Sequence, residues 1–168
     1  TEPEAGSDAG ATRTTARLDG DEWVIDGSKQ FITNSGTPIT RFVTVTAVTG
    51  NEDGRKEIST IIVPNGTPGF TVEAPYDKVG WNASDTHPLT FDAARVPASN
   101  LLGTRGSGFR SFLSILDEGR IAIAALSTGA AEGCLEAAVE YAKSRTIFGA
   151  ALSTRQNAQF TLALSLIH

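Results

Sequence analysis

The sequence predicts an α+β fold in two parts, a small antiparallel β sandwich or barrel followed by helices. Two differences in composition along the 168 residues lead to this prediction. All seven prolines lie before residue 98, in a half rich in Thr, Val and Ile that favours short strands bounded by turns. Residues 107–145 contain no proline and many alanines, which favours a long helix. We place the boundary near residue 103, which gives predicted domains over residues 1–103 and 104–168.

Five segments of the first part have the composition of strands. They are rich in β-branched and aromatic residues and end at Gly, Pro, Asn or Asp: EWVIDGSKQFIT, RFVTVTAV, EISTIIVP, GFTVEAP and HPLTFDAARVP. The sequence LDGDEW, between TTAR and EWVID, is typical of a tight hairpin turn. Strands that recur about every ten residues predict an antiparallel sandwich or barrel.

The second part has one apolar helix face and several glycines. The face consists of residues spaced i, i+3, i+4 and i+7: Phe109, Phe112, Leu113 and Leu116. Three glycines interrupt the same helix and suggest close packing against another helix or a ligand: Gly119, Gly129 and Gly133. A second helix is predicted to start near Ser153. Because one long helix and the start of another cannot bury all of this apolar surface, its packing partners must lie elsewhere in a longer chain or in other subunits.

Charge and composition argue against several classes of function. The net charge is −5, and no Lys/Arg run exceeds the two residues Arg55 and Lys56, so nucleic acid is not an expected partner. We expect no membrane span, since no apolar stretch approaches about 20 residues. His87 and His168 have no further ligands at metal-binding spacing. No strand–loop–helix unit with a parallel crossover supports a dinucleotide-binding motif at the glycine-rich GTRGSG.

Two segments of the β part carry candidate ligand-binding side chains. TEPEAGSD places the hydroxyls of Thr1 and Ser7 on a glycine-containing loop, where the alternative is a turn with a helix-capping serine. QFITNSG places Phe31 and Thr33 on one face of a strand, where they could stack on and hydrogen-bond to a flat heteroaromatic ring. Ordinary half-buried strand packing is the alternative for this second pair.

Three charged residues of the helical part are also candidates. Asp117 and Arg120 lie on one helix face, where the alternative to a binding role is an i, i+3 ion pair. Arg145 lies near the end of the long helix, where it could simply complement the helix dipole.

Taken in order, the longer motifs resemble the acyl-CoA dehydrogenase family over nearly the whole chain. The matching segments are TEPEAGSD, GSKQFITNSG, VGWNASDTHPLTFDAARVPASNLLG, LDEGRIAIAALSTGAAEGCLEAAVEYAKSRTIFG and RQNAQF. The resemblance implies the family's middle β domain followed by the first one and a half helices of an up-down four-helix bundle. It therefore also implies that an N-terminal helical domain and the rest of the bundle belong to the whole protein.

The resemblance also implies FAD as cofactor and α,β-dehydrogenation of an acyl-CoA thioester, with hydride transfer to flavin N5. It assigns cofactor binding to Thr1, Ser7, Phe31, Ile32, Thr33, Arg145, Phe148 and Gln156, and substrate binding to Ser7, Asp117 and Arg120. Arg145, Phe148 and Gln156 match residues that reach the FAD of a neighbouring subunit, so a homo-oligomer, usually a tetramer, is implied. Ile147 departs from the polar residue that the family often has between Arg145 and Phe148.

The resemblance predicts no catalytic residue in this chain. In most of the family the base is a Glu in a later helix–loop region, and in a minority it immediately precedes the residue that matches Arg120. Here that position is Gly119, which looks more like the short-chain and general enzymes. Glu118 is about 100° away around the helix. We therefore expect the fragment itself to be inactive.

Other functions on this fold remain open at this point. They are an acyl-CoA oxidase, a flavin monooxygenase and a non-enzymatic β module with a helical oligomerisation arm. For a dehydrogenase, the resemblance implies an electron-transfer flavoprotein as acceptor. It places the enzyme in the cytoplasm of a bacterium, which the Ala and Gly content favours, or in the mitochondrial matrix of a eukaryote. The terminal LSLIH matches one translated frame of a sequencing adapter, so we expect residues 164–168 to be library-derived and the gene to be truncated at both ends.

Overall fold

Nine strands and two α-helices make up the part of the fold formed by the described residues. The structure is a computed structural model that describes residues 1–165, with every side chain among them except that of Glu52. The strands are β1 (Thr15–Asp19), β2 (Glu22–Thr33), β3 (Phe42–Glu52), β4 (Arg55–Pro64), β5 (Phe70–Val72), β6 (Thr86–Pro97), β7 (Leu101–Leu102), β8 (Thr146–Ile147) and β9 (Ala150–Ala151). The helices are α1 (Gly108–Ser144) and α2 (Gln156–Leu164).

The first seven strands form one sheet in the order β5-β6-β2-β1-β3-β4-β7. The predicted hairpin in LDGDEW is confirmed, because Asp19 pairs with Glu22 across a turn in which Gly20 has a φ of +64°. The sheet differs from the prediction at one place, where Thr15 of β1 pairs in parallel with Val48 of β3. β1 is antiparallel to its other neighbour β2, and β3 is antiparallel to its other neighbour β4, so the sheet is mixed and not wholly antiparallel.

One hydrophobic core lies inside this sheet. It contains side chains from β1, β2, β3, β4 and β6: Ala16, Trp23, Ile25, Val43, Val45, Ala47, Ile61, Val63, Leu89, Phe91, Ala94 and Val96. Strands from both halves of the sheet contribute to a single cluster, so the sheet curls around its core and does not lie flat. The predicted α+β fold class, a small β sandwich or barrel followed by helices, is confirmed, with a mixed sheet in place of the predicted antiparallel one.

The chain divides into two compact units between Ser114 and Ile115, inside α1. The prediction of a long helix over 107–145 is confirmed by α1. The second helix begins at Gln156, after a 3₁₀ turn at Leu152–Thr154, close to its predicted start. The domain boundary near residue 103 and the arrangement of further bundle helices remain predictions.

Much of the apolar surface of α1 is exposed in the second unit. The exposed side chains include Ile115, Leu116, Ile121, Ile123, Leu126 and Tyr141. A Cβ added at Gly119, Gly129 or Gly133 would meet nothing within 4 Å among the described residues. The described residues of the second unit therefore do not by themselves cover this helix, and the close packing predicted at its glycines remains a prediction.

By length and composition alone, α1 is apolar enough to span a membrane. The sequence prediction overlooked that Glu132 and Glu136 are the only charged residues between Ile121 and Val139. A helix in the core of a soluble bundle has the same composition, so the absence of a membrane span remains a prediction. Of the expected adapter-derived residues, 164 and 165 are described, and 166–168 lie outside the described residues.

Candidate functional site

The loop before β1 closes on itself through the buried carboxylate of Glu2. Its Oε2 accepts a hydrogen bond from the backbone N–H of Arg13 at 2.6 Å, and its Oε1 accepts one from the N–H of Thr14 at 3.1 Å. The carbonyl of Thr1 accepts a hydrogen bond from the N–H of Gln30 at 2.9 Å. The predicted ligand-binding loop therefore lies beside β2, next to the residue that precedes Phe31.

A buried ion pair attaches this loop to the sheet. The Nζ of Lys29 lies 2.6 Å from Oε1 of Glu2, and the two side chains are 6% and 4% exposed. Burial alone would raise the pKa of Glu2, but hydrogen bonds from Lys29, Arg13 and Thr14 outweigh it and hold the pKa at about 2. Burial also lowers the pKa of Lys29. Removing one partner of such a pair would leave the other charge buried without compensation.

Phe31 has an unusual backbone conformation in a β-bulge. Between Lys29 and Ile32, β2 advances three residues while β6 advances two, and Phe31 has a φ of +58°. A left-handed conformation is strained for a bulky residue, and such strain is concentrated at functional sites. Phe31 is 59% exposed, and its ring stacks on Tyr76 with 4.8 Å between ring centroids. The bulge interrupts the regular alternation on which the same-face prediction for Phe31 and Thr33 was based, although both residues are exposed.

The segment after Phe31 is fixed by Asp85. The N–H of Asn34 donates to the Asp85 carbonyl at 2.9 Å, and the N–H of Gly36 donates to Asp85 Oδ2 at 2.8 Å. Asp85 Oδ1 lies 2.7 Å from Nε2 of the buried His87, whose Nδ1 lies 2.6 Å from the carbonyl oxygen of Glu73. Since both ring nitrogens face acceptors, the doubly protonated imidazolium is the form that donates to both.

The charged state of His87 should make this segment sensitive to pH. The Glu73 carbonyl, followed by the Asp85 carboxylate, raises the pKa of His87 above 6.5 despite its burial. A raised pKa in the folded state contributes stability that is complete below the ordinary pKa and is lost as the pH rises through the folded value. We therefore expect protection of the Gly36 amide from hydrogen exchange, corrected for intrinsic rates, to fall as the pH rises above 6.5. His87→Gln should remove this pH dependence. If protection of the Gly36 amide did not change with pH above 6.5 in either the wild-type protein or His87→Gln, the assignment of a charged His87 would be contradicted.

The exposed surface around Phe31 fits a flat aromatic cofactor such as the expected FAD. It offers an aromatic face, the hydroxyl of Thr33 and, through the Gln30–Thr1 hydrogen bond, the adjacent loop with Thr1 and Ser7. Ser7 is exposed on that loop. The side chain of Ile32 packs against the hydrophobic core and is therefore not part of this exposed surface.

A basic cleft of about 660 Å³ lies at the far end of the same loop. Four cationic side chains line it, together with Gly10: Arg55, Lys56, Arg105 and Arg110. Lys56 donates to the carbonyls of Ala11 and Thr12, which attaches the loop to β4. The loop therefore runs from the neighbourhood of Phe31 to a surface that suits a polyanionic ligand.

In the second unit, Asp117 and Arg120 form the i, i+3 ion pair that the sequence allowed as an alternative. Arg120 Nη1 lies 2.5 Å from Asp117 Oδ1, and both side chains are about three-quarters exposed. Such a pair contributes little stability, and because both side chains are exposed they are accessible to a ligand. Their role toward a substrate remains a prediction.

The other three predicted residues of this unit surround the hairpin β8–β9. Arg145 directly follows α1, and Gln156 is the first residue of α2. Phe148 lies at the tip of the hairpin, 97% exposed, with a left-handed φ of +47°. The N–H of Leu152 donates to the Arg145 carbonyl at 2.7 Å, which closes the hairpin. A left-handed conformation at a fully exposed aromatic residue makes Phe148 a candidate for a binding contact, and this role remains a prediction.

Sequence reasoning missed several residues that shape the site. They are Glu2, Lys29, Tyr76, Asp85 and the cations of the cleft. One signal was present for Lys29: it continues the inward period-two series of Trp23 and Ile25, where a charge requires a buried partner. The partner itself, 27 residues away, has no local signature.

Sequence models of one protein family match almost the whole chain. The model described as the acyl-CoA dehydrogenase middle domain matches residues 1–94. The model described as the acyl-CoA dehydrogenase C-terminal domain matches residues 106–168. The family resemblance found in the sequence motifs is thereby confirmed.

Individual proteins give the same result. The chain is 52% identical over 164 residues to the probable acyl-CoA dehydrogenase YngJ of Bacillus subtilis, covering 97% of this chain and 43% of that protein. It is 47% identical over 162 residues to the mitochondrial short-chain specific acyl-CoA dehydrogenase of Mus musculus, covering 96% and 39%. The chain thus spans about two fifths of the length of these curated relatives. The crystal structure of a glutaryl-CoA dehydrogenase from Mycobacterium smegmatis in complex with FADH2 matches with a TM-score of 0.89 and 37% identity, over 99% of this chain and 41% of that one.

Proposed function

The chain belongs to the acyl-CoA dehydrogenase family, and on this basis we propose that the whole protein is an FAD-dependent acyl-CoA dehydrogenase. It removes hydrogen from the α and β carbons of an acyl-CoA thioester. The observation that carries this proposal is the exposed Phe31, held in a strained conformation next to the hydroxyl-bearing loop. Strain at an exposed aromatic residue is expected where that residue serves a ligand.

In this proposal, the residues of the β domain position the reactants. Phe31 provides the flat face for the cofactor ring, and the hydroxyls of Thr1, Ser7 and Thr33 provide hydrogen bonds. Bound FAD would supply the two-electron acceptor for the hydride that leaves the β carbon. Removal of the α proton requires a carboxylate of raised pKa, which we place outside this chain. The resemblance gives Gly119 as the position of the base in a minority of the family, and Glu118 lies about 100° around the helix from it, so we do not assign Glu118 as the base.

The exposed hairpin supports an oligomeric enzyme. Phe148, with Arg145 and Gln156 on either side of its hairpin, is proposed to contact the FAD of a neighbouring subunit in a homotetramer. An electron-transfer flavoprotein is the proposed acceptor of the electrons. The proposed compartment is the bacterial cytoplasm, with the mitochondrial matrix as the eukaryotic counterpart.

The test of this function is a spectrum of the purified full-length protein. We expect flavin absorption that is bleached without oxygen by some members of a panel of acyl-CoAs of different length and branching. Rapid recovery of the colour when oxygen alone is added would identify an acyl-CoA oxidase instead. A colourless full-length protein that no acyl-CoA alters would refute the proposal.

The basic cleft is proposed to hold the phosphates of the CoA nucleotide. Replacing Arg55 and Arg110 together by Ala should raise the KM for acyl-CoA by about tenfold, as expected for two exposed ion pairs. The KM for the matching acyl N-acetylcysteamine thioester, which lacks the nucleotide, should not change. Arg17→Ala, which removes an exposed guanidinium from β1, serves as the control. An equal increase in KM for both thioesters would show that the cleft does not bind the nucleotide.

A further inference from the structure

We propose that the buried Glu2–Lys29 pair is the positioning element of the flavin site. It fixes the loop with Thr1 and Ser7 at a set distance from Phe31 and Thr33. This inference rests on the proposed function, because it assumes that the two segments bind one cofactor. It adds two residues that act through the position of others, without touching the cofactor themselves.

Glu2 joins the two ends of the loop, which we call its neck (Glu2, Arg13 and Thr14). Residues 2–14 precede β1, and the carboxylate of Glu2 joins the two ends of this segment by accepting the N–H groups of Arg13 and Thr14. Thr14 is itself fixed to the sheet, since its carbonyl accepts from the N–H of Val48 at 2.8 Å and its Oγ1 donates to the Ser28 carbonyl at 3.2 Å. Loops with closed ends of this kind are compact and often functional.

Lys29 connects that neck to two strands. Its Nζ donates to Glu2 Oε1 at 2.6 Å, to the carbonyl of Thr46 at 2.6 Å and to Thr46 Oγ1 at 3.3 Å. All three N–H bonds of the ammonium group are therefore used, two on β3 and one on the loop. Since Lys29 lies two residues before Phe31 on β2, the same side chain ties the loop to the start of the bulge that presents the ring.

The pair has the properties of a fixed spacer. Both side chains are almost completely buried, so neither is available to a ligand. A pKa of about 2 keeps Glu2 ionised at any pH at which the enzyme works, so the attachment does not loosen with pH. Charge-assisted hydrogen bonds that are shielded from water are also short and directional, which suits a positioning role.

Three variants of the full-length protein test the inference. Lys29→Met removes the cation at similar length, and Glu2→Gln removes the anion while keeping its shape. Glu2→Asp keeps the charge but shortens the reach by one methylene, so it moves the loop while keeping the ion pair. Arg95→Met is the control, because it removes an exposed ion pair with Asp19 and Glu22 in the same sheet.

The readouts separate position from stability. In each variant, at temperatures below its own unfolding midpoint, we measure the Kd of the apoprotein for FAD, the flavin absorption spectrum, and kcat and KM. Hydrogen exchange at the Arg13 and Thr14 amides reports whether the loop has been released. A displacement of about 1 Å can reduce catalysis by about 100-fold. We therefore expect weaker FAD binding, a shifted flavin spectrum and a lower kcat in all three variants, with Arg95→Met unchanged.

Two results would overturn the inference. The first is a folded variant with faster exchange at Arg13 and Thr14 but wild-type FAD binding, spectrum and kcat, which would leave the pair a purely structural role. The second is a wild-type flavin site in Glu2→Asp, which tests the inference even if Lys29→Met and Glu2→Gln do not fold. A wild-type protein without flavin would instead refute the proposed function, so the two failures are distinguishable.

Discussion

Phe31→Ala is expected to weaken binding of FAD to the full-length protein by about 10- to 100-fold, as for other flat rings stacked on an aromatic side chain. Phe31→Trp should retain binding, because the larger ring offers the same flat face. Phe42→Ala is the matched control, since Phe42 is 54% exposed on β3 while Phe31 is 59% exposed on β2. The measurement is a titration of the apoprotein with FAD. Equal losses for Phe31→Ala and Phe42→Ala would contradict the assignment.

Phe31→Gly separates the strain from the stacking. The left-handed φ of +58° costs a residue with a side chain about 1 kcal/mol, and glycine adopts it freely. We expect Phe31→Gly to bind FAD as weakly as Phe31→Ala but to unfold at a higher temperature than Phe31→Ala. A reversed order of the two unfolding temperatures would show that the backbone at Phe31 is not strained.

Gly36→Ala is expected to disrupt the segment that follows the candidate flavin platform. A Cβ at Gly36 would overlap Nε2 of His87, whose ring is held by Asp85 and the Glu73 carbonyl. Overpacking of this kind costs about 1–3 kcal/mol, and losing the charged hydrogen bond to Asp85 adds to that cost. A factor of ten in exchange rate corresponds to about 1.4 kcal/mol, and the combined cost is about twice that value. We therefore expect amide exchange at Ile32 and Thr33 to become about 100-fold faster.

Gly80→Ala provides the control for this substitution. Neither Gly36 nor Gly80 has a left-handed φ, and a Cβ at Gly80 would meet nothing within 4 Å. The two substitutions therefore differ in steric contact and share the change in backbone freedom. Unchanged exchange at Ile32 and Thr33 in Gly36→Ala would mean that His87 moves aside without cost.

Elements defined by neighbouring residues could be predicted from the sequence. The turn at Gly20 and Asp21, the long helix without proline and the start of α2 all follow from signals within a few residues. The segments around Thr1 and Phe31 were also recognised as candidate binding segments. The structure places them side by side through the Gln30–Thr1 hydrogen bond.

Features that depend on strand register could not be predicted in this way. The bulge at Phe31 arises where β2 is one residue longer than the stretch of β6 beside it, which is a property of the pair. The cleft collects Gly10, Arg55 and Arg105 from distant parts of the sequence. In both cases the feature depends on a second segment of the chain, and the local preferences of the first segment do not specify which segment that is.

The sequence by itself determined the order of strands and helices, the family and the residue types available for binding, because these follow from local pattern and motif order. Only the tertiary structure decided that Glu2 and Lys29 form one buried pair and that Phe31 points outward in a strained bulge. The physical reason is that a buried charge is tolerated only where folding brings a compensating charge to it. The fold of the loop before β1 brings Glu2 to Lys29 across 27 residues, and no preference of either residue alone specifies this pairing.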